Sequence, residues 1–255
     1  MINKIASLFL LFLLIISCND TPLVASEISF THKDLASCNT VECPEIFVNY
    51  PKFSGEVEVT KAINASVEQF IIESLYLDDP EQKPTAKNIQ EAAQQFIDMY
   101  RMHNAEFPDL AIDYYSEIEI EESFRSEEII SIELYQEKYT GGAHGYRSLS
   151  YGNFSIKTGQ KIPANKLFKD LNIFTKFAET YFRSQHNIQE NKEINSTGFW
   201  FDDNKFYLPE SIGFNKKSFV LHYNQYEIAS YAEGPIEVEI PLKDVAQYLN
   251  VSLKK

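Results

Sequence analysis

The sequence predicts an α+β fold: antiparallel sheets with helices packed on one face, arranged as two joined modules. Three observations carry this. Two segments between residues 60 and 100 repeat apolar residues at spacings of three and four, the mark of an amphipathic helix. Further on the period drops to two, as in half-buried strands. Between two such runs lies Tyr139-Thr140-Gly141-Gly142-Ala143-His144-Gly145, with three glycines in five residues. That composition suits a tight connection between antiparallel strands.

Residues 1–17 read as an address, a lipoprotein signal peptide. Lys4 supplies a positive start, and residues 5–16 form an apolar run about as long as a signal-peptide core. The run is shorter than the ~20 residues that span a bilayer. Ser17-Cys18 follows it, a small residue before a cysteine, and resembles a bacterial lipobox. The resemblance implies cleavage before Cys18, a diacylglycerol on its sulfur, and a membrane-anchored lipoprotein of the bacterial cell envelope, on the extracytoplasmic side. An ordinary signal peptide with an incidental cysteine is the alternative. Residues 18–44 read as a tether with a small disulfide loop. Residues 19–29 are polar without helical periodicity, and Cys38 and Cys43 form an even pair in an oxidising compartment. Metal ligation is the alternative for the pair, with His32 the nearest further ligand.

The first module spans residues 45–160. Phe47-Val48-Asn49-Tyr50 reads as a strand stopped by Pro51. Thr60 is a candidate N-cap for a helix with Ile63, Val67, Phe70, Ile71 and Leu75 on one stripe. A second helix starts near Thr85 and aligns Ile89, Ala92, Ala93, Phe96, Ile97 and Tyr100. Strands follow at 111–115, 118–121 and 129–139, then at 146–156 after the glycine stretch, closing with a Lys157-Thr158-Gly159 turn. Glu117, Glu119 and Glu121 share one strand face. Carboxylates suit calcium, but no Asp/Asn-Gly loop frames them, so a solvated sheet face is expected.

The second module spans residues 161–250. Asp170 or Asn172 can cap a helix carrying Phe174, Phe177, Ala178, Tyr181 and Phe182. Residues 187–198 are polar and loop-like. Residues 206–214 and 218–223 read as a hairpin turning at Asn215-Lys216-Lys217, and residues 236–240 as a strand. Pro241 then suits the start of a last helix.

Net charge is −14. A nucleic acid partner is excluded, since phosphates require a basic stripe. Attachment to an anionic membrane by charge is likewise excluded, leaving the N-terminal lipid as the membrane contact. Surplus carboxylates keep a surface protein soluble, and they also favour a cationic partner. The Asn-x-Ser/Thr matches at Asn64, Asn153, Asn195 and Asn250 carry no weight in a bacterial chain.

The glycine stretch at 139–145, the Lys-Thr-Gly turn at 157–159, and the run from Asn224-Gln225-Tyr226-Glu227 to Tyr231-Ala232-Glu233-Gly234-Pro235 together resemble a family of bacterial extracytoplasmic domains. The family occurs in the extracellular region of the anti-sigma factor RsiV and the N-terminal, non-catalytic region of the deacetylase PdaC. Tyr50-Pro51 with Ile63-Asn64 resembles the start of its N-terminal module. The resemblance implies an envelope binding or sensing module without enzymatic activity, with a cell-wall glycan or a cationic envelope protein such as lysozyme as partner. Signalling and deacetylation do not carry over, because the chain has neither a sigma-binding region nor a deacetylase catalytic domain. No cofactor is expected.

The candidate binding residues are Gly141, Gly142, His144, Gly145, Tyr226, Tyr231 and Glu233, with Tyr223 beside them. Tyrosines make low-entropy anchors for a partner, and they also pack well at a sheet edge. Three roles stay open for His144: fixing the loop, meeting a partner, or acting as the base of an envelope-polymer hydrolase. The hydrolase reading has Ser148 and Ser150 nearby but no Gly-x-Ser-x-Gly elbow. A zinc site would draw on His103, His186 or His222, which stand at unrelated spacings, with no His-Glu-x-x-His motif. A purely structural envelope lipoprotein is the remaining alternative.

Overall fold

The structure, a computed structural model, describes residues 21–108 and 113–254. The signal segment, Cys18 and the strand reading at Ala111 and Ile112 lie outside the described residues. The fold is α+β and mostly antiparallel. β1 (Val24–Thr31), β2 (Glu45–Ser54), β3 (Tyr115–Arg125), β4 (Ile129–Tyr139) and β5 (Tyr146–Ser155) form one sheet in that order. β6 (Ser211–Phe214), β7 (Ser218–Tyr223) and β8 (Ile236–Pro241) form a second.

Two long helices lie between β2 and β3, α1 (Val57–Leu75) and α2 (Ile89–Glu106). The predicted stripes are the ones buried: Ile63, Val67, Ile71 and Leu75 on α1, and Ile89, Ala92, Ala93, Phe96 and Ile97 on α2. Each large side chain so buried contributes about 1.5–3 kcal/mol. The caps differ from those expected. Glu56 caps α1 by accepting from the backbone N–H of Glu58 and Val59, one turn ahead of Thr60. Asn88 caps α2 by accepting from Glu91 N–H.

Because both helices intervene, β3 returns in the same direction as β2, and the two pair in parallel from Glu45↔Tyr115 to Asn49↔Glu119. The rest of the sheet is antiparallel. β2 does not stop at Pro51. Its ladder with β3 ends at Asn49, and Pro51 continues opposite Glu27 of β1, beyond the reach of β3.

Residues 24–31 correct the tether reading. They form β1, paired with β2 along its whole length. The strand stands at the sheet edge; Val24, Ile28 and Phe30 share one face but only Phe30 is buried, so backbone hydrogen bonds to β2 do most to hold it. After it, Cys38 and Cys43 are joined by a disulfide with Cα atoms 5.6 Å apart. Arg101 of α2 reaches this loop, donating to the Ser37 carbonyl at 3.0 Å.

The second core gathers α3 (Ala164–Leu167), α4 (Leu171–Gln185), α5 (Leu242–Val245) and the second sheet. Asp170 caps α4 through Ile173 N–H at 3.0 Å. Phe174, Phe182, Phe201, Phe214, Phe219 and Tyr223 fill the interior.

The cores meet at the far end of β4 and β5. Phe124 stacks on Phe214 at 5.4 Å, and Phe214 N–H donates to Ser131 Oγ at 3.1 Å. Asn153 donates to the Ile212 carbonyl at 2.8 Å. Gly213 lies against the Tyr151 ring, where a Cβ would come within 2.2 Å, so only glycine permits this approach. The residues after α5 return to the β3–β4 turn, where Glu127 N–H donates to the Lys254 carbonyl at 2.8 Å.

Candidate functional site

The glycine stretch is the hairpin connection between β4 and β5. Gly141 and Gly142 take φ of 99° and 94°, a left-handed conformation that side chains resist. The turn they make leaves His144 exposed. Its Nδ1 lies 2.9 Å from the Gly145 carbonyl oxygen.

A second loop comes up beside it from β7. Asn224 places this loop: its Oδ1 accepts from Leu149 N–H at 2.8 Å and its Nδ2 donates to the Leu149 carbonyl at 3.0 Å. β5 is the edge of its sheet, and the amide of Asn224 continues the ladder there as a further strand would. Glu227 closes the loop by accepting from Asn224 N–H at 2.9 Å. Burial pushes the Glu227 carboxyl above the usual carboxylate range.

The two loops bring three rings together. His144 stacks on Tyr231 with centroids 4.3 Å apart, and Tyr226 joins both at 6.5 and 5.5 Å. Tyr226 is 58% exposed and sits at φ 68°. A bulky residue held in the left-handed region is strained by about 1–3 kcal/mol, and such positions cluster at ligand clamps. The rings border a cleft of about 210 Å³ that also has Gly141, Gly145, Arg147 and Asn224 in its walls.

Lys138 lies at the cleft floor. Its Nζ is turned to the Ser74 and Tyr76 carbonyls at 2.9 and 3.4 Å, meeting the C-terminal end of α1, and burial lowers its pKa. Arg147 is exposed at the rim. Below it the open sheet face carries Glu137, which accepts from the Tyr135 and Tyr115 hydroxyls at 2.6 and 2.8 Å. Those bonds, Tyr135's first, hold the Glu137 carboxyl below its usual value.

The residues singled out from the sequence therefore divide. Gly141, His144, Gly145, Tyr226 and Tyr231 meet at one cleft. Gly142 shapes the turn without lining the cleft, and its carbonyl accepts from the Tyr139 hydroxyl at 3.0 Å. Glu233 lies on the other side of the 230–233 turn, in a different cleft. Tyr223 is fully buried, its hydroxyl donating to the Tyr207 carbonyl at 2.5 Å, so it packs the core and presents no surface. Arg147 was not among the residues singled out, and Asn224 entered only as the start of the family-like run; a polar residue whose partner lies 75 residues away carries no periodic signal.

The arrangement does not favour His144 as a general base. Among the described residues its ring bonds a backbone carbonyl, and no carboxylate is hydrogen-bonded to it. Ser150 opens on a separate cleft beside α1. Among the described residues no group of three or more His, Cys, Asp or Glu side chains is placed to hold a metal ion. His103 contacts the Tyr114 hydroxyl, and His222 pairs with Glu237 at 3.2 Å. No helix among the described residues is long and apolar enough to cross a membrane.

Residues 37–147 match the family model described as Deacetylase PdaC, and residues 165–243 match the one described as Protein of unknown function (DUF3298). A crystal structure of a DUF3298 family member from Bacteroides fragilis is similar, with a TM-score of 0.64 and 16% identity over 91% of this chain and 94% of that one. A DUF3298 family protein from Pseudomonas aeruginosa is similar at a TM-score of 0.60 and 18% identity, over 92% and 96% of the two chains. These likenesses concern the fold. No curated protein matches the chain. The glycine hairpin falls in the first matched segment and the Tyr226–Tyr231 loop in the second, so the cleft lies where the two segments meet.

Proposed function

We propose that this chain, in which a segment matching the PdaC model precedes one matching the DUF3298 model, is a non-enzymatic binding or sensing module of the bacterial cell envelope, whose ring-lined cleft takes cell-wall glycan. The observation that carries the reading is the His144–Tyr226–Tyr231 cluster: His144 and Tyr226 exposed against a half-buried Tyr231, with Tyr226 on a strained backbone. Flat rings receive the C–H face of a sugar, while an adjacent amide and guanidinium meet its hydroxyl, acetamido and carboxylate groups. The cationic side chain at the rim supports a ligand with carboxylates over a basic one.

The lipobox-like Ser17-Cys18 supports anchoring through a lipid on Cys18. The disulfide between Cys38 and Cys43 supports an extracytoplasmic location, since such bonds persist in oxidising compartments. Replacing Cys18 with Ala releases the protein from the membrane fraction if the anchor is this lipid. Retention there would count against it.

A second reading, a cationic lysozyme-like protein, is favoured by the open sheet face below the cleft. Glu117, Glu119 and Glu137 stand there among Tyr115 and Tyr135. Co-sedimentation with purified cell-wall sacculi separates the two. The glycan reading expects the protein to sediment with the sacculi and the His144→Ala/Tyr231→Ala variant to sediment clearly less. Equal sedimentation of both, or capture by immobilised lysozyme alone, overturns it.

A further inference from the structure

The turn at residues 230–233 has two sides. Tyr231 faces the cleft already described, whereas Ser230 and Glu233 border a second one of about 430 Å³, within the ~300–1,000 Å³ usual for small-molecule sites. Trp200, the only tryptophan in the chain, lines this second cleft and is 45% exposed. Its backbone N–H donates to the Ile228 carbonyl at 3.0 Å, which fixes the indole beside the 229–233 segment.

His186, at the end of α4, forms another wall. Its ring is held between Phe182 and Phe199, at 4.5 and 4.8 Å. Its Nε2 is buried and has no hydrogen-bond partner among the described residues. Buried polar atoms are nearly always satisfied, and an unpaired one on a residue of the cleft wall marks a place for a ligand or a water. Burial lowers the His186 pKa, so the ring is neutral near pH 7 and offers Nε2 as either donor or acceptor.

We propose that this second cleft binds a pyranose ring of a linear glycan, with Trp200 as the stacking platform and His186, Ser230 and Glu233 as the hydrogen-bonding groups. The chemistry is that of a sugar. An aromatic face suits the C–H side of the ring, and a mixed set of a neutral imidazole, a hydroxyl and a carboxylate suits hydroxyls that both donate and accept. The carboxylate of Glu233 disfavours an anion. The proposal rests on this cleft alone and stands whether or not the first cleft takes glycan.

The single tryptophan provides the test, because its emission reports on this cleft and no other. The probe is the N-acetylglucosamine tetramer, titrated into the protein and followed by tryptophan fluorescence. A saturable blue shift is expected, unchanged by His144→Ala and weakened roughly tenfold or more by His186→Ala and by Glu233→Ala. Glu233 is exposed, so its variant keeps the test sound if His186→Ala fails to fold. Calorimetry on Trp200→Ala is expected to show the same loss. No saturable shift, a shift undiminished in Glu233→Ala, or a shift with phosphocholine where the sugar gives none would overturn the proposal.

Discussion

His144 lies nearly flat on Tyr231, the planes 25° apart, and this contact joins the β4–β5 hairpin to a turn some ninety residues later in the chain. A stacked pair of this kind is worth about 0.5–1.5 kcal/mol. For a chain of this size each kcal/mol moves the melting temperature by roughly 2–4 °C. His144→Ala is therefore expected to lower Tm by only a few degrees while removing one of the cluster's two exposed rings. A large drop in Tm would mean that the ring holds the fold more than it serves the cleft.

Tyr226 separates stability from binding more sharply. Its φ of 68° is one that glycine adopts without strain. Tyr226→Gly relieves about 1–3 kcal/mol of backbone strain and deletes an exposed ring. Scanning calorimetry is expected to show an unchanged or higher Tm, with glycan binding reduced. A clear loss of stability would contradict the reading that Tyr226 is kept in this conformation for its ring.

Asn224 acts through position. Asn224→Ala strands the N–H and C=O of Leu149 and frees the loop that carries Tyr226. An unmet buried backbone group costs about 1–3 kcal/mol. A fall in Tm of roughly 4–8 °C is expected, together with weaker binding. Asn224→Asp keeps the acceptor for Leu149 N–H and is expected to fall between the two.

Glu133 makes stability depend on pH. Burial, helped by the Glu121 and Glu237 carboxylates, raises its pKa above the usual 4.5, against the opposing hydrogen bond from the Tyr151 hydroxyl and the charge of His222. The folded protein then holds this proton to higher pH than the unfolded chain does. Its contribution falls as pH rises from 4.5 through the raised value and is flat above it. Glu133→Gln is expected to reduce the loss of Tm between mildly acidic and neutral pH. An unaltered slope would rule out Glu133 as its source.

Much of this was legible in the chain because period and turn chemistry are local. The stripes of α1 and α2, the glycine hairpin and the Asn215-Lys216-Lys217 turn are each written in consecutive residues. What escaped depends on distant partners. β1 has Val24, Ile28 and Phe30 on one face but buries only Phe30, and its place in the sheet comes from β2 beside it. The parallel β2–β3 pair was hidden because alternation encodes a face and not a direction. Tyr223 and Tyr226 look alike in sequence, yet one fills the core and the other stands in solvent on a left-handed backbone. His186 stood out only as a candidate zinc ligand and Trp200 not at all: the first follows a helix, the second a polar loop, and only the fold sets them on one cleft.

The central claim is that the cleft between the glycine hairpin and the Tyr226–Tyr231 loop binds cell-wall glycan. Isothermal titration of soluble glycan fragments of purified cell wall, into the wild-type protein and into Tyr231→Ala, tests it most directly. Saturable binding by the wild type, weakened roughly tenfold or more in the variant at a closely similar Tm, is the expected result. Equal affinity in both proteins, or no binding by the wild type, would contradict it.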